Sequence, residues 1–209
     1  MIENGRSAWR AIRLKPGMTI FVYDEGAKVS RFSQIITEGM KRVCADFSEI
    51  VSQSDFRRTK NRTWVRINDA TAECIYFHRR GSTYGAPVNA SIDIRVMLSV
   101  RVLNAPVAGS AIGIISDPAR RATGYAYHHR FNAETGSTYD RCVEELGLYM
   151  TEVAEPWFAE WRDPKKLVKH VDLSTEAREG LESAMIGNIN REANTASLKA
   201  LGVKPPHLM

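Results

Sequence analysis

Cysteine is scarce. The 209 residues include only Cys44, Cys74 and Cys142, far apart and without a CxxC pair. A disulfide framework or a zinc knuckle needs paired or clustered thiols, so both are argued against, and reduced thiols suit a reducing compartment. Long apolar runs are also missing. The longest weakly charged stretch, Val102 to Pro118, is broken by Gly, Pro, Asn and Ser and is too short to cross a bilayer. Met1 to Arg13 carries Glu3, Arg6, Arg10 and Arg13 and lacks the apolar segment of a signal peptide. The expectation is a soluble cytoplasmic protein with no membrane partner. No repeat at solenoid spacing is present. GxGxxG, Walker, GxSxG and HExxH patterns are all absent. No catalytic residue, cofactor or metal ligand is therefore expected.

What is present belongs to an ordinary globular chain: 44% hydrophobic and 25% charged residues, long enough to bury a core without staples. Residues 1–30 read as an N-terminal arm or hairpin. Trp9, Ile12 and Leu14 precede a turn at Lys15-Pro16-Gly17-Met18, Ile20 to Tyr23 follows as a strand, and Asp24-Glu25-Gly26 breaks the pattern. A helix is expected after Ser33, running to about Ser52, because Ile35, Ile36, Met40, Val43, Phe47, Ile50 and Val51 recur at helical spacing. Strands are expected at Arg62 to Ile67, Thr71 to Arg79, Ala111 to Ile115 and Gly124 to Phe131. The clearest is Ser91 to Val102, where Ile92, Ile94, Val96, Leu98, Val100 and Val102 alternate with polar residues. Thr138 to Val153 reads as a second helix, ended or restarted at Pro156. Trp157, Phe158 and Trp161 then cap a core, and Ser174 opens a third helix that turns polar by Asn188. The fold class is α+β: an antiparallel β-meander with helices packed on one face. The expected division is an arm (1–30), an α+β core (31–173), and a C-terminal helix and tail (174–209).

Asp55-Phe56-Arg57-Arg58, Thr63-Trp64-Val65-Arg66 and Tyr76-Phe77-His78-Arg79-Arg80-Gly81-Ser82 resemble a family of uncharacterised, mainly bacterial proteins known as a domain of unknown function. The strand 91–98 and Glu155-Pro156-Trp157-Phe158 with Trp161, Asp163, Pro164 and Leu167 extend the likeness over roughly residues 38–170. The resemblance implies a helix before a basic, aromatic hairpin and a late helix ending in an aromatic cluster. His78 stands where that family tends to have Gln before the basic pair. The family brings no established activity.

The charge map is uneven. Overall the chain has 29 Lys and Arg against 24 Asp and Glu, a net charge of +5. Between Arg57 and Arg130 there are twelve basic residues, eleven of them Arg, against four acidic ones. Arginine offers a planar fork to phosphate or carboxylate and stacks on rings. The plain reading is a solvated sheet face paired with acids. The functional ones are docking of an acidic protein partner and binding of nucleic acid over interleaved Tyr76, Tyr84, Tyr125 and Tyr127. The expected partner-binding residues are Arg62, Trp64, Arg66, Arg95 and Arg101, in a non-enzymatic interaction module of accessory or immunity type. One ambiguity remains. With Asn68-Asp69 as the turn, Trp64 faces Glu73; with Ala70 in the loop, the return strand changes face. An enzyme built from the 103–123 loop and His128-His129 is the third reading. Adjacent strand histidines point to opposite faces, which weighs against a metal site. Cys74 and His78 share a strand face but lie about 13 Å apart along it, too far for a proton relay.

Overall fold

A computed structural model describes residues 9–15, 18–23, 25–80, 89–106, 111–115 and 119–204. The expected turn at 15–18, Gly81-Ser82, Tyr84, the glycine turn at 109–113 and the tail after Lys204 lie wholly or partly outside these residues.

Strands β1 (Trp9–Lys15) and β2 (Met18–Tyr23) pair antiparallel as a hairpin of their own. Helix α1 follows at once as Glu25–Ser52. It starts earlier than Ser33, and it crosses residue 30, the expected edge of the arm. Asp24-Glu25-Gly26 looked like a break. A carboxylate in the first turn suits the positive end of the helix dipole, and one glycine costs only about 1 kcal/mol of helix propensity.

The main sheet contains β3 (Arg57–Lys60), β4 (Thr63–Asn68), β5 (Thr71–Arg80), β6 (Ser91–Val102) and β7 (Ala111–Ile115), in that order and antiparallel. β8 (Arg130–Asn132) shares the second edge of β6 with β7, pairing with Ser91–Asp93. The long strand expected at Gly124 to Phe131 contracts to β8 and an isolated bridge, Arg120 to Ala126. β3 was not foreseen, because Arg-Arg-Thr-Lys has no apolar alternation to mark it.

The register of β4 and β5 settles the hairpin. Asn68 pairs with Thr71, so the turn is Asp69-Ala70; Arg66 stands opposite Glu73 and Trp64 opposite Ile75. Directly opposed residues share a face. Trp64, Ile75, Phe77, Val96, Leu98 and Val100 therefore form one apolar face, and all are buried. Their partners come from α1 (Met40, Val43, Phe47), α2 (Tyr139–Tyr149; Cys142, Leu146) and α3 (Glu155–Trp161; Phe158). α5 (Thr175–Met185), started by the Ser174 cap, adds Ala177 and Leu181 to this same core. At its centre Phe47, Trp64 and Phe77 touch pairwise with ring centroids 4.5–4.8 Å apart. The Trp64 indole N–H donates to Ser48 Oγ at 2.8 Å.

Between α2 and α3 lies a π-helical turn, Met150–Ala154, directly before Pro156. The helix thus restarts at the proline through one wide turn, a recognised way to absorb a break in the hydrogen-bond ladder. The short α4 (Pro164–Leu167) is capped by Asp163. The polar run after α5 divides what reads as one helix. Gly187 takes φ +85° and Asn190 caps α6 (Arg191–Leu201). Leu198 and Leu201 of α6 pack on Val65, Ala72 and Cys74, on the opposite face of the sheet from α1. To the helices over one face the structure thus adds a single helix over part of the other. Among the described residues no helix is long and apolar enough to cross a membrane.

Candidate anion-binding groove

Of the five expected partner-binding residues, Arg62, Trp64 and Arg66 share the α1 face of the sheet, while Arg95 and Arg101, one position out of phase with Ile94 and Val100, point to the other. They do not make one surface. Trp64 is wholly buried in the aromatic core. Arg66 is structural too. Its side chain is 13% exposed, lies 4.3 Å over the Phe56 ring, donates to Glu73 at 2.5 Å and forks onto both Glu155 oxygens at 3.0 Å. Burial pulls its pKa down, and the hydrogen bonds to Glu155 and Glu73 more than reverse this, so the guanidinium is held above its ordinary value. Glu73, fully buried, also accepts from Arg162 at 2.9 Å. The arginines that looked available from the sequence thus include one that neutralises a carboxylate inside the fold.

The residues that do converge lie where the sheet extends past the middle of α1. Ser33, Thr37 and Lys41 recur every four residues on α1, beside Ile36 and Met40, whose side chains anchor in the core. From the sheet come three arginines of the same face. Arg58 stands opposite Trp64, Arg62 precedes Trp64 by two, and Arg79 follows Phe77 by two. Phe77 N–H donates to Arg62 O at 3.0 Å, which fixes Arg62 and Arg79 on neighbouring strands. The result is a groove of about 430 Å³ lined by Lys41, Arg58, Arg62 and Arg79 with the Ser33 and Thr37 hydroxyls and Asn61.

Its electrostatics are one-sided. Among the described residues no Asp or Glu lines it; Lys41 Nζ donates to Glu38 at 2.7 Å. The Arg58 guanidinium is held by Asn61 O, to which both Nε (3.1 Å) and Nη2 donate. Arg62 and Arg79 are half-buried, and their guanidiniums have no hydrogen-bond or ion-pair partner among the described residues. Burial raises the nearby Cys44 thiol to about 11, against an opposing pull from Arg58 and Arg62. Water screens the half-buried Arg62 and Arg79 less than the exposed Lys41 and Arg58, so an anion gains most beside the first two. Three groove residues, Lys41, Arg58 and Arg79, were not among the expected partner-binding residues. Arg58 sits on the unforeseen β3, and the register that places Arg62 opposite Phe77 brings Arg79 within two positions of it.

The other candidates fall elsewhere. On the open face of β5 and β6, Tyr76, His78, Arg95 and Arg101 are half-buried and Met97 is 38% exposed. His129 is buried against Tyr127 and Tyr149, with ring centroids at 5.9 and 5.4 Å, while the backbone N–H of His128 points to Glu145 at 3.5 Å. Among the described residues no three His, Cys, Asp or Glu side chains are grouped to hold a metal ion. In the 103–123 loop, Asn104 is buried and stitches the loop to the C-terminal helices. Its amide donates to Gly180 O at 2.8 Å and its carbonyl accepts from Asn190 N–H at 2.5 Å. Comparison of the chain with protein families, curated proteins and solved structures finds no match.

Proposed function

We propose that this chain is a non-catalytic interaction module that holds an acidic segment of a partner protein in the groove between α1 and the arginine-bearing end of the sheet. The observation that carries the reading is the convergence of exposed Lys41 and Arg58 with half-buried Arg62 and Arg79 on one groove, lined by no carboxylate among the described residues. Guanidiniums left without internal partners favour an external anion, and groups already half desolvated lose less on binding it. The three free, buried cysteines fit a reducing compartment, and we place this role in the cytoplasm.

The test is fluorescence anisotropy with a labelled Glu-rich peptide. Saturable binding that weakens as salt rises is expected. Reversing Arg58, Arg62 and Arg79 together to Glu removes it, whereas reversing Arg95 and Arg101 leaves it in place. Equal loss from both sets, or no binding by the unaltered protein at low salt, rejects the groove as the docking site. The open face with Tyr76, Arg95 and Arg101 favours a second reading, single-stranded nucleic acid on a stacking platform. A gel shift of oligothymidine lost on reversing Arg95 and Arg101 would support that reading over the first.

A further inference from the structure

Resting on that reading of the groove, we infer that its preferred occupant is a phosphorylated residue of the partner protein rather than a plain acidic one. The groove presents three guanidinium forks, from β3, the turn between β3 and β4, and the end of β5, and one ammonium. A carboxylate has two oxygens and one charge, and a single fork satisfies it. A phosphoryl group carries about −1.5 to −2 charges at neutral pH and three acceptor oxygens, so it can occupy several forks at once. Arg58 is already oriented, its Nε and Nη2 bound to Asn61 O. Arg62 and Arg79 keep their forks for an outside acceptor, since no described residue bonds or pairs with either guanidinium. Planar, directional donors reward the multidentate anion more than a point charge would. The apolar side chains beside these donors, Ile36 and Met40, are 6% and 8% exposed and so offer little surface to an apolar ligand. The charged end of the groove therefore decides what binds.

The experiment compares three labelled peptides of one Gly/Ser/Glu-rich sequence whose central residue is Ser, Glu or phosphoserine. The phosphoserine peptide is expected to bind about tenfold more tightly than the Glu peptide, as multidentate charge-assisted bonds exceed a single pair. Millimolar inorganic phosphate competes it away. The double variant R62K/R79K retains both charges but removes two forks. It is expected to lose more affinity for the phosphoserine peptide than for the Glu peptide, so that the two peptides bind alike, with circular dichroism confirming the fold. Equal affinity for the Glu and phosphoserine peptides overturns this inference and leaves the acidic-segment reading standing. A preference that survives in R62K/R79K overturns it as well. Absence of binding by any peptide rejects both. Tighter binding of an oligothymidine than of the phosphopeptide, lost in R62K/R79K, would reassign the groove to nucleic acid.

Discussion

Glu73 illustrates how one residue can look like surface chemistry and be architecture. It sits mid-strand with no solvent exposure, and its two oxygens are shared between Arg66 and Arg162. Arg66 in turn forks onto Glu155, so one buried carboxylate ties the β4–β5 hairpin to the start of α3. Removing one partner of a buried pair strands the other charge. Glu73→Ala is therefore expected to cost about 3–5 kcal/mol of stability, read as a shift of the urea midpoint, while Glu38→Ala on the α1 surface changes it by less than about 1 kcal/mol. Alkaline pH probes a second set of residues. Burial, then the hydrogen bond to Glu152, raises the Tyr127 hydroxyl to about 12, and burial raises Tyr139 and Tyr149 as well. In the unfolded chain a tyrosine ionises near pH 10. Between about pH 10 and 12 the unfolded state binds fewer protons than the folded one, so stability falls as pH rises through that window and is fully present below it. Urea midpoints measured across that range, with tyrosinate absorbance as the titration readout, should decline; a flat profile would contradict the burial of these hydroxyls.

At the scale of elements, much of the fold was legible and the failures have definite causes. The alternation at 91–102 and the helical spacing through Met40, Val43 and Phe47 announced β6 and α1, because each buries one continuous stripe. β3 was not legible: its partners, not its own pattern, make it a strand. The turn at Asp69-Ala70 is neither of the two expected, Asn68-Asp69 alone or with Ala70 added: it leaves the face of the return strand unchanged and shifts the register by two, so Trp64 stands opposite Ile75 and Glu73 opposite Arg66. Gly39 is a point of close approach in α1. A Cβ there would meet Ala133 Cβ at 2.6 Å and Ile92 Cδ1 at 2.9 Å. Gly39→Ala gains helix propensity of about 1 kcal/mol yet overpacks this contact, at a typical cost of about 1–3 kcal/mol. The expected net effect is a loss, seen as a lower melting temperature. A rise would mean that α1 can move away from the segment after β8.

Taken whole, the molecule has a thick side and a thin side. The thick side is the core beneath α1, α2, α3 and α5; the thin side is a small cluster under α6. Truncation after Gly187 removes α6 and uncovers Val65, Ala72 and Cys74 while leaving the larger core in place. Burial now raises the Cys74 thiol to about 11. In the intact protein all three cysteines are expected to resist a thiol reagent at mildly alkaline pH; in the truncated one Cys74 alone is expected to react, with Cys44 and Cys142 still protected.

The end of α6 is fastened to one short strand. Thr59 donates to Leu201 O at 2.6 Å and Lys60 Nζ to Ala200 O at 2.5 Å, so both side chains serve the negative end of that helix. The residue before them is Arg58. A strand of four residues thus answers to two masters: its far end is moored to the last helix, and its near end aims a guanidinium at the opposite side of the sheet. Whatever unmoors the C-terminal segment slackens that strand, and an occupant seated on Arg58 would in return tighten the mooring. The two faces of the molecule, whose apolar clusters are separate, are thus joined by one four-residue strand at the edge of the sheet.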